Sequence, residues 1–460
     1  MKNKVLPTNS ESPFHIDEFF FSTTNPKGII TYGNDVFLRV SGYPKEQTIG
    51  APHNIIRHPD MPRSVFKLFW DTLKADHPIG AYVKNMAADG SYYWVFAFAF
   101  PIENGYLSIR FKPSSEIFLA VKQIYAEVFE YEKNGHDIES GKAFLLEKIK
   151  SAGFSNYEDF MVKAAINELT ARSANAGSKS TSSSNAKNSD ITNVSTKAVD
   201  SLNELLTRVS EIQHSSEVLV KNINFVNDGF FKLKFVALNM AISSARFGTL
   251  AQGLGVVAKE FRNNSAKIGD SINGILGFTE TLTSVIQQCN LKMASLNIQI
   301  QMVDFFVKES IQKSAGGADD AFAEMNLNRD GFSSLFKTYA TTLIHEVSGM
   351  RKQLATLSSQ MMEVQKLVIS LQVIRQIGNV ESARTSEIRE TFVHYLEEMN
   401  KFIDLVKNAY VEIRRENVNL EDRSKSIISS MNHIAGGVDK IFDLSSANQE
   451  SPPTELLNAA

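Results

Sequence analysis

The sequence predicts two architectures on one chain: an α+β module with a five-stranded antiparallel sheet, then an all-α antiparallel coiled coil or four-helix bundle. The module is indicated by short runs rich in β-branched and aromatic residues, separated by turn signals. Many of the 31 phenylalanines of the chain also lie in this first part. The bundle is indicated by apolar residues that recur alternately every three and four positions. With 460 residues, the chain is long enough for two or three domains.

The first module is predicted to span residues 12–115. Its predicted strands are Phe19–Thr23, Ile29–Tyr32, Gly80–Met86, Ser91–Phe100 and Tyr106–Phe111. Two segments of helical character, Asn34–Val40 and Met61–Leu73, separate the second strand from the third. The Asp89-Gly90 pair lies between two β-rich runs, which is typical of a tight hairpin. This order of elements predicts a five-stranded antiparallel sheet with helices on one face.

Two segments of different character follow the module. Residues 116–172 are predicted to form a helical connector, because apolar residues recur there at helical spacing. Residues 173–196 are rich in serine, asparagine, lysine and alanine and contain no aromatic residue. Such a segment buries too little apolar surface to offset its ordering entropy, so we expect a flexible linker. We also expect residues 446–460 to be a disordered tail.

Residues 197–445 carry apolar heptad stripes on four successive arms. Glycine-containing breaks at residues 248–255, 316–331 and 378–386 separate these arms. A stripe of this period is buried only against another such stripe, so each arm needs a partner. Two arrangements remain open: an antiparallel four-helix bundle within one chain, or two hairpins that pair in a homodimer.

Composition and charge exclude several functions. The chain has 48 Lys and Arg against 51 Asp and Glu, a net charge of −3 that offers no basic surface for nucleic acid. One cysteine, Cys289, excludes a disulfide framework and a cysteine-based structural zinc site. We expect a cytoplasmic protein without a membrane span, since the sequence has neither a long apolar run nor a secretory signal. The sequence contains no nucleophile elbow, P-loop, dinucleotide fingerprint or HExxH pair, so no motif of this kind predicts an enzyme.

The densest polar cluster of the first module is the loop Gly50–Pro62 (GAPHNIIRHPDMP). Its three prolines restrict the backbone, so Arg57, His58 and Asp60 project from a rigid connection beside the predicted sheet. A cation, an imidazole and a carboxylate within four residues suit a planar polar ligand with phosphate or carbonyl groups. The alternative is a surface loop whose charges satisfy one another.

This loop also carries a resemblance to a known family. Together with Asn34–Gly42 (NDVFLRVSG), Trp70 and Asn85, it resembles the sensory PAS domain of bacterial aerotaxis receptors over roughly residues 12–115. That family holds FAD non-covalently in the PAS cavity and responds to its redox state. The resemblance implies a flavin site that includes Asn34, Arg57, His58, Asp60, Phe66 and Ile79.

Phe66 and Ile79 are the two apolar positions of this implied site. Phe66 is expected to supply an apolar wall, and Ile79 stands where the family usually has a tryptophan that could stack near the flavin ring. Haem is the alternative cofactor, for which His53 or His58 would serve as the axial ligand.

A second resemblance lies at the end of the first arm, in residues 238–248 (LNMAISSARFG) and 252–262 (QGLGVVAKEFR). These blocks resemble the signalling tip of methyl-accepting chemoreceptors, which binds the chemotaxis histidine kinase and its coupling protein. The matching positions are Asn239, Ala245, Arg246, Gly248, Gly253, Val256, Val257, Ala258, Glu260 and Arg262. The tip is degenerate, because Ser243, Thr249 and Gln252 replace charged residues of the family.

The two resemblances imply a cytoplasmic redox, oxygen or energy sensor. In this hypothesis an FAD-binding PAS domain biases the packing of a chemoreceptor-like bundle, with the chemotaxis kinase and coupling protein as the implied partners. The competing hypothesis is a ligand-free scaffold. In that case the PAS domain mediates association only, and the bundle binds or sequesters chemotaxis proteins.

Overall fold

The computed structural model describes residues 5–175, 186–315 and 329–447, and its first module is built on one antiparallel sheet. The strands are β1 (Phe19–Thr24), β2 (Ile30–Gly33), β3 (Ile79–Met86), β4 (Tyr92–Ile102) and β5 (Gly105–Phe111). They lie in the order β2-β1-β5-β4-β3, so the last strand joins the two hairpins. The predicted fold class is confirmed, with every strand end within two residues of its predicted position.

The central strand β5 presents opposite chemistry on its two faces. Arg110 of β5 lies opposite Phe20 of β1 and Ala97 of β4. Because successive side chains of a strand alternate between faces, Arg110 and Ser108 share the inner face, whereas Ile109 points to the outer face. The inner face is therefore polar at its centre, and the outer face is apolar.

Helices of the module lie on the inner face. They are α1 (Asp35–Ser41), α2 (Lys45–Thr48) and α3 (Arg63–Lys74), with a 3₁₀ turn at His53–Ile56. Asn34 caps α1, since its side-chain oxygen accepts the backbone N–H of Phe37 at 3.3 Å. Gly42 ends the same helix in the left-handed conformation (φ 68°), which favours glycine.

The connector consists of α4 (Glu116–Lys133), α5 (Ile138–Ser151) and α6 (Tyr157–Asn175). Glu168 of α6 is fully buried. Its carboxylate accepts the backbone N–H groups of Ser114 (2.6 Å) and Ser115 (3.1 Å). It also accepts the hydroxyls of Ser115 (2.7 Å) and Tyr82 (2.8 Å). One carboxylate thus joins α6 to the start of α4 and to strand β3.

Two further contacts join the connector to α3. Glu132 of α4 accepts the backbone N–H groups of Arg63 (2.7 Å) and Ser64 (2.8 Å) at the first turn of α3. A carboxylate at this position satisfies amides that have no partner within the helix. Lys142 of α5 forms an ion pair with Asp71 of α3 at 2.8 Å. Helix α3 is therefore held from outside the module.

Four long helices complete the described chain: α7 (Ala186–Phe247), α8 (Gln252–Ala315), α9 (Arg329–Ser382) and α10 (Ser386–Ala447). Of the predicted linker 173–196, residues 173–175 end α6 and residues 186–196 open α7; residues 176–185 lie outside the described residues. Most of the predicted tail also lies outside them. Among the helices described, none combines the length and hydrophobicity that crossing a bilayer requires.

The chain divides into two compact units. The second unit contains residues 207–289 and 342–431. There, the Ser243 hydroxyl of α7 lies 3.1 Å from the Tyr395 hydroxyl of α10, and the Asn417 amide of α10 donates to the Leu354 carbonyl of α9 at 3.1 Å. These contacts join helices of one chain, so the predicted antiparallel helical architecture is confirmed and the helices pair within the chain.

The first unit contains the sheet module, the connector and the ends of the long helices. Within it, every residue of α8 from 293 to 303 is buried, whereas a helix at a protein surface normally exposes one face to solvent. The following turn contacts the sheet: the Phe305 and Phe306 rings lie 6.1 Å from Phe19 and 4.9 Å from Phe21 of β1, between centroids. Helix α8 thus packs directly on the outer face of the sheet.

The outer face of the sheet is covered by other parts of the same unit. Its six phenylalanines are each at most 1% exposed: Phe19, Phe21, Phe96, Phe98, Phe100 and Phe111. Tyr339 of α9 contacts Phe100 edge-on, with ring centroids 5.6 Å apart. Arg172 of α6 lies over the Phe19 ring at 3.9 Å. The connector and the long helices together seal this face.

Candidate functional site: a cavity on the inner face of the sheet

A cavity of about 320 Å³ lies between the inner face of the sheet and helix α3. Strands β3, β4 and β5 form one wall, α3 forms the opposite wall, and the Gly50–Pro62 loop contributes one side. Its volume lies near the lower end of the range for small-molecule sites, about 300–1,000 Å³. The cavity can therefore accept a ring system, whereas a full dinucleotide would have to extend beyond it.

Arg110 supplies the positive charge of the sheet wall. Its side chain is 4% exposed and donates to the Ser22 hydroxyl at 2.9 Å. Burial lowers the pKa of the Arg110 guanidinium to about 10, so the group stays protonated at neutral pH. A buried cation on a central strand is unusual, because burying a charge is costly unless a partner compensates it.

His53 lies beside this guanidinium. Its Nε2 atom is 2.6 Å from an Arg110 nitrogen, and its ring stacks on Phe37 with centroids 6.3 Å apart. Burial, reinforced by the neighbouring cation, lowers the pKa of His53 well below its usual value. The imidazole is therefore neutral at physiological pH, with Nε2 accepting from Arg110.

Two further polar groups of the sheet wall lack a protein partner. The Asn85 Nδ2 atom and the Ser108 Oγ atom are buried and make no hydrogen bond within the described residues. Both residues line the cavity. A buried donor without a partner costs about 1–3 kcal/mol. These atoms are thus placed for a ligand that offers hydrogen-bond acceptors in the plane of its ring.

The opposite wall is aromatic. The Trp70 ring of α3 contacts Tyr106 edge-on at 5.5 Å, and the Arg57 guanidinium lies over the Phe66 ring at 4.5 Å. Gly28 lies against Trp70 with φ 75°, and a Cβ atom there would approach the Trp70 ring to 3.1 Å. The wall therefore offers flat apolar surfaces and one half-buried cation.

The structure brings two of the six predicted site residues into the cavity wall. Arg57 and Phe66 line it. Arg57 also donates to the Met61 carbonyl at 2.9 Å and forms an isolated β-bridge with Asn85. Burial lowers the pKa of Arg57, while the Glu132 carboxylate favours its charged form. The loop that contains Arg57 is thereby fixed to strand β3.

The other four predicted residues lie elsewhere. Asn34 is buried at the start of α1, where its side chain bonds to the β1 backbone as well as to Phe37. His58 is 1% exposed, and its Nδ1 atom accepts the Asp60 backbone N–H at 3.1 Å. The Asp60 carboxylate forms an ion pair with Lys84 at 3.0 Å and is 56% exposed. Ile79 is fully buried at the start of β3, outside the cavity lining.

Sequence reasoning missed the residues with the most unusual environment, Arg110 and Ser108. The signal was present in the strand Gly105–Phe111 (GYLSIRF), where a serine and an arginine alternate with apolar residues. Alternation alone places both polar side chains on one face. Among the described residues, no cluster of three or more His, Cys, Asp or Glu side chains could hold a metal ion.

The comparisons with known proteins agree with this geometry. Residues 30–108 match the model of the PAS fold family. The first module is a PAS domain. Its cavity lies between the sheet and the helices that precede β3, and the PAS match covers most of the residues that line it.

Two curated relatives are sensory proteins. The aerotaxis receptor of Escherichia coli K12 is 41% identical over 130 residues, which are 27% of this chain and 26% of the receptor. A sensory transducer protein of Acetivibrio thermocellus is 33% identical over 85 residues, 18% of this chain and 15% of that protein. The chain thus spans about a quarter or less of the length of these relatives. The resemblance of the PAS domain to aerotaxis receptors is confirmed.

Solved structures with similarity to the chain include a PAS domain from Colwellia psychrerythraea. It is 23% identical, covers 20% of this chain and 85% of its own chain, and has a TM-score of 0.19.

The predicted signalling tip lies in the second unit. Gly248 ends α7 with φ 57°, and a 3₁₀ turn over Gly248–Ala251 leads into α8. The Ser244 hydroxyl donates to the Ala251 carbonyl at 2.8 Å, which closes this hairpin. Val257 is buried. A Cβ atom on Gly253 would lie 2.2 Å from the Glu381 carboxylate of α9, so the α7–α8 hairpin lies beside the end of α9.

Seven of the ten predicted tip residues are exposed on this hairpin: Asn239, Ala245, Arg246, Gly248, Val256, Glu260 and Arg262. Val256 is 61% exposed, which is high for an aliphatic side chain. The hairpin therefore combines a rigid, buried centre with an exposed mixed surface.

Proposed function

We propose that the chain is a redox sensor of signal transduction, in which the PAS cavity holds the isoalloxazine ring of FAD and the long helices carry the output. The observation that carries the proposal is the cavity wall, where a buried cation and two unpartnered polar atoms face the same space as flat aromatic side chains. The similarity to an aerotaxis receptor supports a sensory role.

The residues present fit a flavin. The ring is planar, and the aromatic wall that includes Trp70 offers it a flat contact surface. Its carbonyl and ring-nitrogen edge needs donors, which Asn85 and Arg110 can supply from the sheet. Haem fits less well, because His53 Nε2 is already held by Arg110 and His58 lies outside the cavity lining. When bound, a flavin supplies reversible two-electron redox chemistry.

Two connections lead from the cavity to the rest of the chain. On the sheet side, Arg110 is followed by Phe111, whose ring lies 5.4 Å from Phe19 on the outer face. Phe19 in turn contacts Phe305 of α8. On the helix side, the Glu132 carboxylate joins α3 to α4. A ligand state that shifts β5 or α3 would therefore bias two packed contacts outside the domain.

This route does not depend on a flexible linker to transmit force. The sheet and α8 lie in the same compact unit, and their aromatic rings are in direct contact. A second link is the ion pair between Lys313 of α8 and Asp35 of α1 at 2.7 Å. Packed contacts of this kind have discrete arrangements and so suit a two-state signal.

The cofactor proposal is tested by the absorption spectrum of the purified chain, before and after reconstitution with FAD. We expect flavin bands near 450 nm, and their loss in Arg57→Ala. The matched control is Arg63→Ala, because Arg63 lies in the same region with an exposed side chain outside the cavity lining. A wild-type protein that stays colourless after reconstitution would refute flavin binding and favour the ligand-free scaffold.

We propose the exposed surface of the α7–α8 hairpin as the output site, with the chemotaxis kinase and its coupling protein as partners. The support is its resemblance to the chemoreceptor tip and the exposure of Val256. We expect Val256→Asp to abolish capture of these two proteins. Val411→Asp is the control, since Val411 of α10 is 62% exposed against 61% for Val256. No capture by the wild-type chain at micromolar concentration would exclude this output.

A further inference from the structure

The cavity contains a buried cation, Arg110, that no carboxylate of the described part of the chain neutralises. The Arg110 guanidinium contacts the Ser22 hydroxyl and His53 Nε2, which are both uncharged. Within the described residues it forms no ion pair with a carboxylate, and its guanidinium lies over the Phe37 ring at 5.6 Å. A fully buried charge without a counter-charge costs several kcal/mol.

The second cation of the cavity differs in this respect. Arg57 is half-buried, bonds to the Met61 carbonyl and lies near the Glu132 carboxylate. Its charge is therefore partly compensated by the protein. Among the described residues Arg110 has no carboxylate partner, and the open space next to it is the cavity that it lines. A negatively charged ligand in this space would lie next to the Arg110 guanidinium and supply the missing counter-charge.

His53 fixes the orientation of the Arg110 guanidinium. Its neutral imidazole accepts from one nitrogen of the guanidinium, and its ring is held against Phe37. A second bond to Ser22 on β1 leaves Arg110 little rotational freedom. A charge held this way costs no reorganisation when a ligand becomes negative, so its electrostatic effect is strong.

We propose that Arg110, held by His53 and Ser22, stabilises negative charge on the ligand, so that the cavity binds the reduced anionic flavin ring more tightly than the oxidised neutral ring. This inference rests on the proposed flavin function. The balanced step is the addition of two electrons and one proton to the ring by an external reductant such as dithionite, which leaves the ring with one negative charge. Arg110 neither gains nor loses a proton in this step.

The test compares the full-length wild-type chain with Arg110→Gln, which keeps hydrogen-bonding capacity but removes the charge, and Arg110→Lys, which keeps the charge. Two quantities are measured for each: the Kd for oxidised FAD and the midpoint potential of the bound flavin. We expect Arg110→Gln to reduce the preference for the reduced form at least tenfold, a fall of about 30 mV for a two-electron couple. Arg110→Lys should retain most of the wild-type potential.

The possible results distinguish the role of Arg110 from flavin binding itself. A wild-type chain that binds no FAD refutes the flavin function and this inference with it. FAD binding with the same midpoint potential in Arg110→Gln and wild type refutes this inference alone. A third measurement needs no variant: the spectrum of reduced wild-type complex at pH 6 should be that of the anionic ring, and a neutral reduced spectrum would overturn the assignment.

Discussion

Removal of the buried Glu168 carboxylate should release α6 from the PAS domain. The carboxylate accepts hydrogen bonds from four donors: the amides of Ser114 and Ser115 and the hydroxyls of Ser115 and Tyr82. Because each unsatisfied buried donor costs about 1–3 kcal/mol, Glu168→Ala should lower the free energy of unfolding by about 3–5 kcal/mol, with water entry limiting the loss.

A neutral amide at the same position should have a smaller effect. In Glu168→Gln, one oxygen can still accept from the two hydroxyls, whereas the amide NH₂ group faces two backbone N–H donors. We expect a loss of about 2 kcal/mol, intermediate between alanine and wild type. Glu158→Gln is the control, because Glu158 lies on an exposed face of the same helix and should change stability by less than about 0.5 kcal/mol.

The assay is urea unfolding followed by tryptophan fluorescence. The chain has two tryptophans, Trp70 and Trp94, and both lie in the PAS domain. Trp94 lies 5.3 Å from Phe118 of α4 between ring centroids, so its emission also reports on the connector. If Glu168→Ala unfolded within about 1 kcal/mol of wild type, the carboxylate would not be the anchor described above.

Two further predictions concern the sheet and the pH dependence of stability. Gly105→Ala should destabilise strongly, because a Cβ atom there would lie 1.8 Å from the Thr24 carbonyl. Gly135 also has a positive φ, 96°, but a Cβ atom there meets open space, so Gly135→Ala should cost about 1 kcal/mol. Comparable melting temperatures of the two variants would contradict this. Burial lowers the pKa of both His53 and His58, so the unfolded chain binds more protons and stability should fall as pH drops below about 6.5. The double variant His53→Gln/His58→Gln should show a shallower loss between pH 7 and 5 in urea titrations, and an unchanged slope would refute the neutral assignment.

The sequence was most informative where one physical rule dominates. Heptad spacing and glycine breaks located the arms, because a stripe of this period needs a partner stripe and a left-handed turn favours glycine. Gly248 indeed ends α7, and α10 begins at Ser386 as the last break predicts. Strand limits followed from turn signals such as Asp89-Gly90.

The cavity was only partly predictable. Arg57 and Phe66 line it, whereas Asn34 and His58, which the family resemblance implied for the same site, do not. The sequence alone does not say which side chains turn toward a cavity. In the structure Asn34 and His58 bond mainly to nearby backbone. Contacts between the sheet and α8 were unpredictable for another reason: Phe21 and Phe306 are nearly three hundred positions apart, and apolar periodicity does not identify the partner of a face.

The sealed outer face of the sheet limits how this protein can be divided into fragments. A fragment that ended after β5 would leave six large aromatic side chains in water, a contiguous apolar patch of the kind that drives precipitation. Even a fragment that kept α6 would expose the rings of Phe21 and Phe100, which α8 and α9 contact. Grafting this PAS domain onto another protein therefore requires transferring its helical cover as well. Precipitation of the isolated domain would reflect the missing cover rather than a defective fold.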